Sequence, residues 1–340
     1  MSGTSLDGVD IAYCKFTFEN GRWSYKIIDV KTIEYNKEWK KRLSESMNYD
    51  AVSLARLNIE YGHFLGNITK KFIIQNGYSP DLISSHGHTV FHQPENKLTL
   101  QIGDGASIAA ETGLQVVCDF RSKDVALGGQ GAPLVPIGDR LLFPEYDYCI
   151  NIGGIANISY EQKGQRIAFD ICPANMALNY LSEKLGKQYD EDGKTAASGK
   201  TDVSLLAELN SLSFFSLKPP KSLGKEWVFN SFIPIIERHS IPLKDALNTV
   251  TIHIAEQISS ILQKPGEALL TGGGVKNGFL VQSIKERSKV KIIIPGKTLI
   301  DYKEALIFAF LGVLRLRKEP NCLASVTGAR EDSCGGAVYS

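Results

Sequence analysis

Three glycine-rich turns, each joined to short apolar runs, constrain this chain more than any other feature. They are Gly3 to Gly8 within MSGTSLDGVD (1–10), Gly153-Gly154 between two apolar strands, and Gly272-Gly273-Gly274 after another. Glycine permits left-handed backbone and close approach to a ligand. Successive N–H groups in such turns form nests for anionic oxygens. A lone turn of this kind is ambiguous, because Asp7-Gly8 also reads as an ordinary hairpin signal. A triphosphate, however, needs backbone donors from several sides, since side chains alone crowd it. Three such turns, in this order, predict a nucleotide site built by two α/β halves.

The intervening pattern agrees. After Ile11-Ala12-Tyr13-Cys14, a second strand is predicted up to Glu34. Leu54, Leu57, Tyr61, Phe64, Leu65, Ile68 and Phe72 recur at helical spacing over 51–76, with Gly77 as the stop. Short strands are expected at 81–85, 98–102 and 115–120, with a helix over 106–111. The stretch 126–136 holds three glycines and two prolines and reads as a shaped loop. A second strand–turn–strand unit covers 148–160, and a strand over 166–170 carries Asp170 at its end. Helices are predicted from Pro173 to about Leu185, over 242–263, from about Asn277, and over 301–317; strands are predicted at 267–271 and 290–294. Strands alternating with helices imply an α/β fold.

Composition narrows the function class. The chain has 38 basic and 37 acidic side chains, a balance that gives no support to nucleic-acid or membrane-surface binding. Nothing approaches the ~18 apolar residues of a membrane span, and no basic stretch with an apolar core opens the chain as a signal peptide does. Six scattered cysteines without a Cys-x-x-Cys pair read as reduced thiols of a cytoplasmic protein. His86, His88 and His92 fall within seven residues, but no cysteine or acid completes a metal set nearby, so they read as polar ligand contacts.

The chain resembles the anhydro-N-acetylmuramic acid kinases of the actin, sugar-kinase and heat-shock-protein superfamily. The resemblance rests on MSGTSLDGVD (1–10), SSHGHT (84–89), DFRSKDVALGGQGAPLVP (119–136), NIGGIANIS (151–159), FDICPAN (169–175), PPKSLGKE (219–226), TGGGVKN (271–277), EALIFAFLG (304–312) and SVTGA (325–329). It implies a two-domain, hexokinase-like and actin-like ATPase fold with RNase H-like halves and a cleft between them. The first domain would take 1–140 with about 303–340, and the second 141–302. The resemblance also implies that ATP is used to hydrolyse the 1,6-anhydro bond of 1,6-anhydro-N-acetylmuramic acid and phosphorylate O6. The products would be N-acetylmuramic acid 6-phosphate and ADP, in cell-wall peptidoglycan recycling. A homodimer is implied by the family alone. Two other readings stay open at this stage: a kinase of another amino sugar, and a non-catalytic, actin-like nucleotide-binding protein.

The residues divide by role. A water attacking the anomeric carbon needs a base, and Asp170 falls at the family's catalytic position; helix capping before Pro173 is its structural alternative. Glu304, opening the last helix, would orient sugar or water, or else serve the helix dipole as a first-turn acid. Gly3, Thr4, Ser5, Leu6, Asp7 and Gly8 would cradle phosphates, with Mg²⁺ near Asp7. Asn151, Gly153, Gly154 and Asn157 would form the opposite wall, and Gly272, Gly273, Gly274 and Asn277 would border adenosine. His86, His88, Thr89, Arg121, Asp124, Gln130 and Gly131 would line the sugar. Arg121 is suited to the lactyl carboxylate, or to an ion pair with Asp124.

Three departures from the family pattern stand out. Ile171-Cys172 replaces the usual Thr-Gly after the base, and His88 replaces a Gln. The family's first strand precedes its Met-Ser-Gly-Thr, whereas this sequence begins at that Met. A chain extended upstream is therefore expected to hold the first loop more firmly.

Overall fold

The computed structural model describes residues 1–2 and 6–340. It is a mixed α/β protein, and its contacts divide it into Met1–Leu142 with Tyr302–Ser340 as one compact unit and Phe143–Asp301 as the other.

In the first unit, β1 (Gly8–Glu19) and β2 (Arg22–Glu34) form a long hairpin. Its turn, Asn20-Gly21, has both φ angles positive, the backbone that matches strand twist in a two-residue hairpin. Ser2 pairs antiparallel with Val9, and Met1 exchanges backbone hydrogen bonds with Asp10. The helix Ala51–Asn76 begins where the Asp50 side chain accepts from the Val52 and Ser53 amides, and ends at left-handed Gly77. Its Leu57, Tyr61 and Leu65 join Ile102, Ile108 and Val116 in this unit's core. Strands β3 (Ile83–Ser84), β6 (Val116–Cys118) and β12 (Ala337–Tyr339) form a small sheet, and β4 (His88–Gln93) pairs with β5 (Leu98–Ile102). β6 is shorter than predicted because Asp119 turns the chain with φ at 55°.

The second unit carries one five-stranded sheet. Strands β7 (Tyr148–Ile152), β8 (Ile155–Gln162) and β9 (Gln165–Pro173) form an antiparallel meander; β10 (Glu267–Thr271) and β11 (Lys291–Ile293) extend it in parallel beyond β7. The helix Leu243–Ile261 buries Leu247, Val250, Ile254 and Ile258 against this unit's core.

Several boundaries move from their predicted places. The stretch 126–136 is not loop throughout, because the helix Val135–Leu142 already starts within it. The last strong helix starts at Lys297, just after Pro295-Gly296, and runs to Leu316. Glu304 therefore lies beyond the first turn, outside the reach of the first-turn dipole reading. Asp170 lies inside β9 rather than at its end, and the next helix, Asn175–Glu183, is preceded by Ala174, so Asp170 is not a cap. Among the described residues no helix is long and apolar enough to cross a membrane, and the six cysteines are free thiols.

Candidate active-site residues

In the second unit the sheet register brings two of the glycine turns side by side. Asn151, near the end of β7, is the partner of Thr271 at the end of β10, so Gly153-Gly154 and Gly272–Gly274 emerge together at the carboxyl ends of these two strands. Ligands of open α/β sheets sit at such carboxyl ends. Gly272 has φ at 84°, and a Cβ there would stand 2.6 Å from Asn151 Oδ1 and 2.7 Å from the Ile152 carbonyl oxygen. Gly273 and Gly154, by contrast, are exposed, with nothing nearer than 3.5 Å to a Cβ. The start of the Asn175–Glu183 helix folds onto the same turn. The Ala174 and Met176 amides donate to the Gly154 carbonyl, and the Asn175 amide donates to that of Gly153. Asn277 caps the helix Gly278–Arg287 by accepting from the Leu280 amide at 2.9 Å.

Asp170 belongs to this same end of the sheet. Its partner on β8 is Asn157, while Ala156 pairs with Cys172, so Ile171 is a bulged residue. Bulges re-aim neighbouring side chains. Here Ile171 and Cys172 enter the core of the unit while Asp170 stays half-buried. The Leu223 amide donates to Asp170 Oδ2 at 2.8 Å. Burial pushes the Asp170 carboxyl above the ordinary aspartate range, and the Leu223 hydrogen bond opposes that shift.

The first unit brings together most of the predicted sugar contacts. The His86 ring is buried, and its Nε2 accepts from Arg121 Nε at 3.1 Å and Nη2 at 2.9 Å. Its Nδ1–H donates to the Gly87 carbonyl at 3.0 Å. Burial first, and the Arg121 charge second, hold His86 well below its usual pKa, which keeps it neutral and able to accept. Arg121 Nη1 donates to the Gly131 carbonyl at 2.6 Å. A guanidinium has five N–H donors, so among the described residues these bonds leave one donor on each Nη for a bidentate acceptor.

The predicted Arg121–Asp124 ion-pair alternative does not describe Asp124. That carboxylate is buried and accepts from the Gly131 amide at 2.7 Å, Thr327 Oγ1 at 2.8 Å and Cys322 Sγ at 3.0 Å. Asp124 therefore shapes the loop whose Gly131 carbonyl faces Arg121. Gln130 is exposed, anchored through its amide to the Thr327 carbonyl at 2.8 Å.

Glu304 keeps access to water yet is hemmed in by protein; this crowding pushes its carboxyl up, against the pull of Arg121. The preceding residue, Lys303, is buried 2.7 Å from Asp139. Adjacent helix residues point about 100° apart, so that buried pair sets the rotation that aims Glu304. One turn on, Phe308 packs edge-on against His86 at 4.5 Å and lies under Arg121 at 5.8 Å.

Other predicted residues lie elsewhere. His88 is buried in a hydroxyl cluster, 3.4 Å from Ser2 Oγ, which in turn reaches Tyr35. Thr89 is half-buried on β4 opposite Gln101. Gly3, Thr4 and Ser5 lie outside the described residues. Leu6 is half-buried with φ at 57°, Asp7 is exposed, and Gly8 opens β1 against Glu34. Sequence reasoning missed Phe308, Thr327, Cys322 and the Leu223 amide. Phe308 had a signal in its four-residue spacing from Glu304; the others are joined to the site through loops that periodicity does not describe. A cavity of about 500 Å³ in this unit is lined by β1, the Ala51–Asn76 helix, β3 and the Lys297–Leu316 helix. His86, Arg121 and Glu304 lie outside its lining.

The family model for anhydro-N-acetylmuramic acid kinase matches residues 1–340. The chain belongs to that family. It is 38% identical over 362 residues to the anhydro-N-acetylmuramic acid kinase of Francisella tularensis subsp. novicida, spanning 97% of this chain and 94% of that one. The corresponding kinase of Hydrogenovibrio crunogenus is 34% identical, spanning 100% and 96%. Among solved structures, a putative N-acetylmannosamine kinase from Listeria monocytogenes aligns with a TM-score of 0.34 and 13% identity, covering 89% of this chain and 98% of that one. The hexokinase of Schistosoma mansoni complexed with glucose aligns at 0.33 and 10%, covering 85% and 80%. These scores are too low to bear on the fold. Family membership makes the chain an enzyme, a carbohydrate kinase using ATP.

Proposed function

We propose that this kinase acts on 1,6-anhydro-N-acetylmuramic acid. A water adds to C1 as the C1–O6 bond opens, and O6 takes the γ-phosphoryl group of ATP, giving N-acetylmuramic acid 6-phosphate and ADP. The observation that carries this reading is Asp170, a half-buried carboxyl raised by burial and held by one amide beside the paired glycine turns. A base with a raised pKa suits proton removal from water near neutral pH. Ile171 and Cys172, which depart from the family pattern, turn into the core of the unit.

The other roles follow the units. In the second, Asn151, Gly153, Gly154 and Asn157 would form one phosphate wall, while exposed Gly273, with Gly272, Gly274 and the Asn277-capped helix, would border adenosine. In the first, the 1–10 stretch would face the phosphates. Mg²⁺ typically binds through one or two carboxylates, substrate phosphates and water. Exposed Asp7 fits such a site, and among the described residues no cluster of three or more His, Cys, Asp or Glu offers a closed metal cage. Mg²⁺ there would neutralise phosphate charge. Arg121, with its Nε–Nη2 edge held by His86, would grip the lactyl carboxylate through its remaining donors; Glu304 would orient the sugar or the water. We assign Asp124 to shaping the loop behind Arg121. A cytoplasmic homodimer is part of the same proposal.

Arg121→Gln is expected to raise the KM for the anhydro-sugar about 100-fold with KM for ATP unchanged, as loss of a charge-assisted bidentate pair requires. Steady-state kinetics in both substrates checks this; an unchanged sugar KM removes Arg121 from the site. The reaction itself is tested in ¹⁸O-labelled water. Label is expected at C1 of the product and not in its phosphate. Product that retains the 1,6-anhydro bond overturns the proposal.

A further inference from the structure

We propose that Lys221 is a positioning residue for this reaction, pinning the segment 219–224 so that the Leu223 amide stays on the Asp170 carboxylate. The inference rests on the reading of Asp170 as the base. β9 is an edge strand of its sheet, and the segment closes that edge at Asp170. The Asp170 amide donates to the Lys221 carbonyl at 3.1 Å, and two residues on, the Leu223 amide donates to Asp170 Oδ2 at 2.8 Å. Two side chains hold the segment, buried Leu223 and Lys221, and the Lys221 contacts are polar. Lys221 Nζ donates to the Phe214 carbonyl at 3.2 Å and stands 4.5 Å over the Phe214 ring and 5.9 Å from that of Phe169. A cation facing aromatic rings while donating to a partly buried carbonyl is an anchor; a solvated charge on a loop would make neither contact.

The anchor matters because the segment has room to move. A cavity of about 160 Å³, lined by Phe169, Phe215, Pro219, Lys221, Gln257 and Ile261, lies directly beside it. Without the Lys221 contacts, the chain from Pro219 to Leu223 can settle into that space and withdraw the amide. Among the described residues, the surroundings of Asp170 offer little to replace it. Across β8 stands neutral Asn157; the titratable neighbours are Cys172 on the same strand, a thiol pushed up by burial and so neutral, and Lys221, whose ammonium is committed to Phe214. Losing the one donor to the charged form disfavours that form, so the base would hold its proton to higher pH.

The test uses the full chain with its aspartates carrying ¹³C at the side-chain carboxyl, and the Asp170 signal identified by its loss in Asp170→Asn. In Lys221→Met the Asp170 titration midpoint is expected to move to higher pH. The acid limb of kcat/KM for the anhydro-sugar should move with it, kcat should fall about 10- to 100-fold as for a misplaced group, and KM for ATP should stay within about twofold. Lys221→Arg should restore most of both. If Lys221→Met fails to fold, Lys221→Gln, which keeps a donor, is expected to show a smaller shift in the same direction. An unmoved midpoint in a folded variant overturns the proposal. A shifted midpoint that leaves kcat and the acid limb of kcat/KM as in wild type would instead overturn the assignment of Asp170 as base.

Discussion

Asp170→Asn is expected to lower turnover about a thousandfold, the scale of a lost general base, while leaving ATP binding in place. The asparagine can still accept from the Leu223 amide, so the bulge at Ile171 and the segment beside it should keep their geometry. Stability should not suffer. The folded carboxyl is pushed above its unfolded pKa by burial. The folded state thus binds its proton more tightly, and stability contributed by this group is present at low pH and lost as pH rises through the folded pKa. At neutral pH, wild type therefore carries a disfavoured charge that the asparagine lacks, and Asp170→Asn should melt at the same temperature or higher. Turnover close to wild type would remove Asp170 from the chemistry; a large drop in melting temperature would mean that its role is mainly structural.

The adjacent glycines of the third turn should behave in opposite ways. Gly272 sits at φ 84° and ψ 166°, a region nearly confined to glycine, with a Cβ position in contact with the Ile152 backbone. Gly272→Ala combines backbone strain with overpacking, together about 2–4 kcal/mol, or a fall of roughly 5–10 °C in melting temperature. Gly273 has no such constraint: the nearest atom to its Cβ position is Asn175 Nδ2 at 3.6 Å. Gly273→Ala should leave the melting temperature within about 1 °C, as an unobstructed surface change does, yet raise KM for ATP, because the added methyl lies where the nucleotide would approach. Thermal melts and ATP kinetics on the pair separate fold from site. Equal effects of the two substitutions on both measurements would contradict this division.

The sequence was most legible where local chemistry decides structure. Asp50 and Gly77 bracket the long helix as their capping chemistry requires, and Asn20-Gly21 turns the first hairpin. The order of glycine turns predicted a nucleotide-using α/β protein, and membership of the family agrees with it. What escaped was set by tertiary pairing. Asp170 looked terminal because Pro173 follows so soon, but the bulge at Ile171 carries β9 on to Pro173. Glu304 looked like a first-turn acid because the predicted helix opens at Asp301, yet the helix begins one turn earlier at Lys297. His88 shared a motif with His86, but strand geometry sends it to Ser2 and the buried tyrosines. Asp124 was read as a ligand contact, and its three hydrogen-bond donors come from residues that only the folded loop brings near.

Initial rates of ADP release, measured with 1,6-anhydro-N-acetylmuramic acid, N-acetylmuramic acid and N-acetylglucosamine in turn, identify the substrate. Strong stimulation by the anhydro-sugar is expected, with one phosphorylated sugar formed for each ADP and far weaker stimulation by the other two. Preference for either open sugar, or ADP release that no sugar stimulates, would contradict the proposed substrate.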